Sequence, residues 1–254
     1  MIISIWSQPY KNGKDILKLK KEQIHIRDPF ILSDEGKYYL YGSRGGECWG
    51  KCSGLDVYLS EDLESWSDSH ECFSRPENFW SDMHFWAPEV HKYKNKYYMF
   101  VSFKSEDRHR GTQILVADTP MGPFISHSDG PVTPPDWECL DGTFYVDKNN
   151  TTYIVFCHEW TQVSDGEICA MKLSDDLKES IGNPIELFKA SSFAKKSSVK
   201  GDGNYVTDGP FLYRLKDGQL IMIWSSFSNG KYCEIISYSD NGDIDGKWYH
   251  KKEL

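Results

Sequence analysis

Four times along this chain an acidic residue opens a short apolar stretch, a turn and a second apolar stretch. The units are Asp28-Pro-Phe-Ile-Leu32 with Lys37-Tyr-Tyr-Leu-Tyr41, Glu89-Val-His-Lys-Tyr93 with Lys96-Tyr-Tyr-Met-Phe100, Asp141-Gly-Thr-Phe-Tyr145 with Thr152-Tyr-Ile-Val-Phe156, and Asp208-Gly-Pro-Phe-Leu212 with Gln219-Leu-Ile-Met-Ile223. The four acids stand 61, 52 and 67 residues apart. A repeat of roughly 40–60 residues built from short strands is the mark of a β-propeller blade. Each acid is then expected to start the innermost strand of its blade, so that the carboxylates converge on one mouth of the central channel.

The rest of each unit agrees. Ser33-Asp-Glu-Gly36, Lys94-Asn95, Asp147-Lys-Asn-Asn150 and Lys216-Asp-Gly218 carry hairpin-turn chemistry. A third strand follows in each unit, at Leu55–Asp62, Gln113–Asp118, Ile168–Asp175 and Glu234–Asp240. Closing elements at Trp66, Gly122-Pro-Phe124 and Gly246-Lys-Trp248 complete two hairpins per unit. Helical periodicity is scarce, predicted only for a turn or two at Lys14–Gln23 and a turn at Asp175–Ser180. The stretch Ala190–Tyr205 reads as a polar loop. The expectation is one all-β domain over residues 1–254, with four complete blades and a last blade short or missing.

Composition excludes several partners. The net charge of −9 and the lack of any basic cluster beyond Lys18-Leu-Lys-Lys21 argue against nucleic acid and anionic membrane. The N-terminus lacks a basic region followed by an apolar core, so no signal peptide is expected, and no apolar run approaches a membrane span. Seven cysteines without a regular framework read as reduced thiols; Cys48 and Cys52 have no second pair to complete a metal site. A cytoplasmic location is the expectation. Aromatic residues at 15% suit both propeller sheets and a cleft that covers the apolar faces of sugar rings.

Breaking a glycosidic bond takes one carboxylic acid to protonate the departing oxygen and one carboxylate to activate water or attack. The acid needs a neighbouring negative charge or burial to keep its proton, and a ring of carboxylates supplies the former. Beside the acids, Phe85 and Trp86 are candidate stacking platforms, Trp160 a candidate cleft residue and Trp224 a core residue. Glu89 either hydrogen-bonds sugar hydroxyls or pairs with Arg44. His158 in Cys157-His-Glu-Trp160 is either a substrate contact or a buried structural histidine; Glu159 beside it, and Arg214 after the fourth acid, are further candidate substrate contacts.

Arg27-Asp-Pro-Phe30, Phe85-Trp-Ala-Pro-Glu89, Leu140-Asp-Gly-Thr-Phe144 and Thr207-Asp-Gly-Pro-Phe-Leu-Tyr213, in that order, resemble glycoside hydrolase family 43. The resemblance runs from about Ile26 to Trp248. It implies a five-bladed propeller and an inverting enzyme acting on arabinose- or xylose-containing oligosaccharides, of the α-L-arabinofuranosidase or β-xylosidase type. By the resemblance Asp28 is the general base, Asp141 the carboxylate that raises the acid's pKa, and Asp208 the general acid. The family has Glu where this chain has Asp208, one methylene shorter. Three readings are open: Asp208 donates in a shifted frame, Glu159 supplies the proton, or the protein is a non-catalytic carbohydrate-binding propeller. Family members hold a calcium in the channel through a histidine of the last blade. No such motif precedes Leu254, so no cofactor is expected to be required, and a structural calcium in the channel stays an open reading.

Overall fold

The computed structural model of the chain describes residues 18–193 and 203–253. Its turns show why each unit folds back on itself. Glu35 and Gly36 have φ of 49° and 75°, and Lys94 and Asn95 have 46° and 64°. Two successive positive φ values make the tight turn whose twist matches a hairpin. Each inner strand is thereby paired antiparallel with its successor: Ile26–Asp34 with Lys37–Arg44, Met83–Tyr93 with Lys96–Lys104, Cys139–Val146 with Thr152–His158, and Asp208–Arg214 with Leu220–Ser228.

Third strands Gly54–Ser60, Gly111–Ala117, Glu167–Leu173 and Lys231–Ser239 follow in the same order, giving four meandering sheets. The outer positions belong to Ile125–Pro131, Ser180–Lys189 and Trp248–Glu253 in blades II to IV. In blade I the outer edge is divided between Ser65–Trp66 and His70–Ser74, and Leu19–Lys20 adds to the former. This is the propeller arrangement with the four blades read from the repeat; a fifth sheet is not found among the described residues.

The blades meet through their inner strands. Phe30 of blade I packs against His91 of blade II at 5.4 Å and against Phe211 of blade IV at 6.2 Å between ring centroids. His91 lies 5.7 Å from Phe144 of blade III, and the Gly209 N–H of blade IV donates to Asp141 of blade III at 2.9 Å. The inner strands therefore close a ring around the channel.

Second strands are covered by a neighbouring blade on both faces, so they read as unbroken apolar runs instead of alternating ones. Phe100, Ile154, Phe156, Met222 and Trp224 are wholly buried. Burying each such side chain contributes roughly 1.5–3 kcal/mol. The apolar clusters lie between sheets: Phe100 and Ile114 of blade II pack with Ile154 and Phe156 of blade III.

Local expectations fared unevenly. Of the expected helical stretch Lys14–Gln23, residues 14–17 lie outside the described residues and Lys21–Gln23 is a single 3₁₀ turn; residues 175–179 are turn and bend, and Ser180 begins a strand. A helical turn occurs instead at Trp160–Val163. Of the loop Ala190–Tyr205, Ala190–Ser192 forms a 3₁₀ turn, while residues 194–202 lie outside the described residues. None of the seven cysteines forms a disulfide, and the Cys48 and Cys52 thiols are bonded to backbone carbonyls.

Candidate active site

Every inner strand carries the same distortion. In blade I, Asp28 and Pro29 sit opposite the single residue Gly42, between the pairs Arg27–Ser43 and Phe30–Tyr41. Ala87-Pro88, Asp141-Gly142 and Gly209-Pro210 bulge in the same way in blades II, III and IV. The first bulged residue is left-handed each time, with φ of 51°, 46°, 53° and 53° at Asp28, Ala87, Asp141 and Gly209. Aspartate tolerates this region better than most residues. Gly142 admits no side chain, because a Cβ there would lie 2.6 Å from Thr112.

This register corrects the phase read from sequence. Only Asp28 and Asp141 occupy the equivalent bulge position; Asp208 falls one residue before it and Glu89 two residues after. All four nevertheless line one cavity of about 680 Å³, together with Trp49, Trp86, Glu159, Trp160 and Tyr232.

Hydroxyls on the second strands hold the bulges. Ser43 donates to Asp28 Oδ2 at 2.8 Å and accepts from the Ala87 N–H of the next blade at 3.0 Å. Ser102, its counterpart in blade II, accepts from the Asp141 N–H at 2.9 Å. In blade III the counterpart is Cys157, and the next bulge amide, Gly209 N–H, turns to the Asp141 carboxylate instead. Ser43 is fully buried. Ser43→Ala strands the Ala87 N–H and frees Asp28 at a cost of about 1–3 kcal/mol. A thermal melt should show the Tm lowered by roughly 3–8 °C; an unchanged Tm would remove the bridging role.

The carboxylates differ in surroundings. Asp28 is exposed to water, whereas Asp141 and Asp208 are partly recessed, with protein closing most sides. Burial pushes Asp141 well above the usual carboxylate range, and the charges of Asp208 and Asp28 push it further, against the Gly209 amide. Burial also raises Asp208, to about 6; the Tyr232 hydroxyl and Arg110 pull it down, and Glu159 and Asp28 push it up. Asp141 and Asp208 titrate together, so the proton near neutral pH belongs to the pair.

The remaining predicted residues divide. Trp86 forms part of the wall: its ring stacks on His84 at 4.6 Å, carries the Arg110 guanidinium at 4.1 Å and meets Trp49 edge-on at 5.2 Å. Glu159 lines the cavity and pairs with the buried Arg110. Glu89 is bonded by Thr143 at 2.6 Å and by His91 at 3.1 Å, whereas Arg44 pairs with Asp56 and Glu71.

Three candidates are placed elsewhere. Phe85 is core, packed with Phe73, Phe79 and Phe103, because it alternates with Trp86 onto the opposite strand face. His158 is buried against Trp137, with its nitrogens bonded to Glu167 and Gln162. Arg214 sits at the far end of its strand, on the Gly218 and Gly242 carbonyls and the Tyr145 hydroxyl. Sequence reasoning missed Trp49, Tyr232 and Arg110. Tyr232 comes 24 residues after its partner Asp208, a cross-strand contact that no local motif announces.

In the channel below the acids, Glu89, His91 and Thr143 bond one another, between the rings of Phe30 and Phe144. No group of three or more metal-ligating side chains occurs among the described residues.

A profile for glycosyl hydrolases family 43 matches residues 23–254. The chain belongs to that family. Among solved family 43 relatives, an endo-arabinase from Bacteroides thetaiotaomicron VPI-5482 is 40% identical, with a TM-score of 0.86 over 94% of this chain and 84% of that one. An endo-1,4-beta-xylanase from the same organism shares the fold at 24% identity, with a TM-score of 0.71 over 91% and 74% of the two chains. An extracellular endo-alpha-(1->5)-L-arabinanase of Bacillus subtilis (strain 168) is 22% identical over 148 residues, 54% of this chain and 45% of its own length. The chain thus spans about half the length of that relative.

Proposed function

We propose that this family 43 protein is an inverting glycoside hydrolase acting on arabinose-containing chains, with linear arabinan as the substrate to try first. The observation that carries the reading is the meeting of Asp28, Asp141 and Asp208, from three blades, in one cavity walled by Trp49, Trp86 and Trp160. Asp28, open to water and steadied by Ser43, takes a proton from water as that water attacks the anomeric carbon. The glycosidic C–O bond breaks on the opposite face, and Asp208 gives its proton to the leaving oxygen. Asp141, beside Asp208, shares a proton with it, because two neighbouring carboxyls resist losing both protons.

Arabinan is preferred over xylan because the relative at 40% identity bears an endo-arabinase name. That name also favours internal cuts over the exo action expected of an arabinofuranosidase or β-xylosidase. Seven cysteines, none in a disulfide, support a reducing compartment. The carbohydrate-binding alternative keeps one motivation, the aspartate in place of glutamate at the acid position.

The test is to incubate the protein with linear arabinan, and separately with xylan, and follow the nascent reducing ends by proton NMR. Arabino-oligosaccharides that appear first as the inverted anomer are the expected outcome. A retained anomer would overturn the mechanism, and calorimetric binding with no hydrolysis would favour the alternative.

A further inference from the structure

Asp208 is one methylene shorter than the glutamate it replaces, so its carboxyl needs a support that a longer side chain would not. Tyr232 reaches it from the third strand of the same blade: the phenol O–H donates to Asp208 Oδ2 at 2.9 Å. Ser225, the cross-strand partner of Asp208, lies on the strand between Asp208 and the strand that carries Tyr232. The Tyr232 ring is itself packed edge-on against Phe227 at 5.1 Å.

We infer that Tyr232 is the positioning residue for the acid: with its ring packed on Phe227, its hydroxyl occupies Asp208 Oδ2 and leaves Oδ1 to carry the proton toward the leaving oxygen. The inference rests on the proposed assignment of Asp208 as the acid. A carboxyl with a single rotatable bond to its Cβ, bonded at one oxygen, has its other oxygen set in one direction. Preset direction matters because a misplacement of about 1 Å can lower a rate by roughly 100-fold.

The same bond sets a sign. A donor to the carboxylate favours the ionised form, so its loss raises the acid's pKa. The other charged groups facing Asp208 are Asp28 from blade I, Arg110 from blade II, Asp141 and Glu159 from blade III, and Glu234 on its own blade. A Tyr232→Phe change leaves all of them in place.

The experiment compares Tyr232→Phe with Asp208→Ala on two substrates, arabinan and an arabino-oligosaccharide bearing an activated aryl leaving group. For Tyr232→Phe, kcat on arabinan is expected to fall about 10–50-fold with KM changed little, while the aryl substrate, which needs no proton, loses under about 3-fold. The alkaline limb of kcat should move up by roughly half to one pH unit. Unchanged kcat and an unmoved limb in Tyr232→Phe, beside a leaving-group-dependent loss in Asp208→Ala, would overturn the Tyr232 inference alone. Equal losses on both substrates in Asp208→Ala, with the alkaline limb still present, would remove the acid assignment and this inference with it. A Tyr232→Phe loss equal on both substrates with the limb unmoved would mark a merely structural role and also overturn it.

Discussion

Asp28→Asn should leave a folded protein that barely turns over, with kcat on arabinan lowered about 10³–10⁴-fold. The substitution keeps the shape of the side chain and an oxygen to accept the Ser43 hydroxyl, so the bulge and the neighbouring Ala87 amide keep their bonds. What disappears is the ability to take a proton from water. Azide needs no deprotonation, so adding it to the variant should restore part of the rate and yield a glycosyl azide of inverted configuration. Activity near that of the unsubstituted protein would take Asp28 out of the base role, and a retained azide product would exclude inversion.

The second large effect is expected at Asp141, where function and stability should move in opposite directions. Its carboxyl is held well above its ordinary value of 3.8 by burial and by Asp208 and Asp28. A carboxyl with a raised folded pKa binds its proton more tightly in the native state than in the unfolded chain. The native state therefore loses stability as pH climbs from about 4 upward, and loses nothing below that value. Asp141→Asn removes the buried charge and keeps an acceptor for the Gly209 amide. Calorimetry near pH 8 should then show a Tm raised by roughly 3 °C, with no gain near pH 4.

Turnover of the same variant should fall about 10²–10³-fold. Asp208 would lose its like-charged neighbour, its pKa would drop, and the alkaline limb, expected about pH 6 from Asp208 itself, would move to lower pH. Asp141→Asn and Tyr232→Phe thus shift that limb in opposite senses. A Tm unchanged across the pH range would mean that Asp141 carries no native-state charge penalty.

The blades were legible because each depends on short-range signals: a turn such as Lys94-Asn95 and the apolar run that follows it. The convergence of the acids was legible because inner strands of a propeller point at a common axis. Phase was not, since the bulge residue in two blades is Ala87 or Gly209, and neither announces the position it shares with Asp28 and Asp141. Phe85 and Trp86 show a similar limit: neighbours on a strand face opposite ways, and only the register across to Ser102 decides which one meets the cavity. His158 takes the structural one of its two readings, its nitrogens satisfied by Glu167 and Gln162, and Arg214, which strand alternation places on or near the face of Asp208, is held by the Gly218 and Gly242 carbonyls at the far end of the strand. Tyr232 and Arg110 act across strands and blades, beyond the reach of spacing along the chain.

Cys157 stands where blades I and II have serines, and this exchange of sulfur for oxygen breaks the pseudosymmetry of the ring. With a hydroxyl at that place, the Gly209 amide would have an acceptor of its own, and the carboxylate of Asp141 would be left to swing. A fourfold scaffold of near-identical parts thus acquires a unique front, and the asymmetry traces to one atom that bonds too weakly to compete.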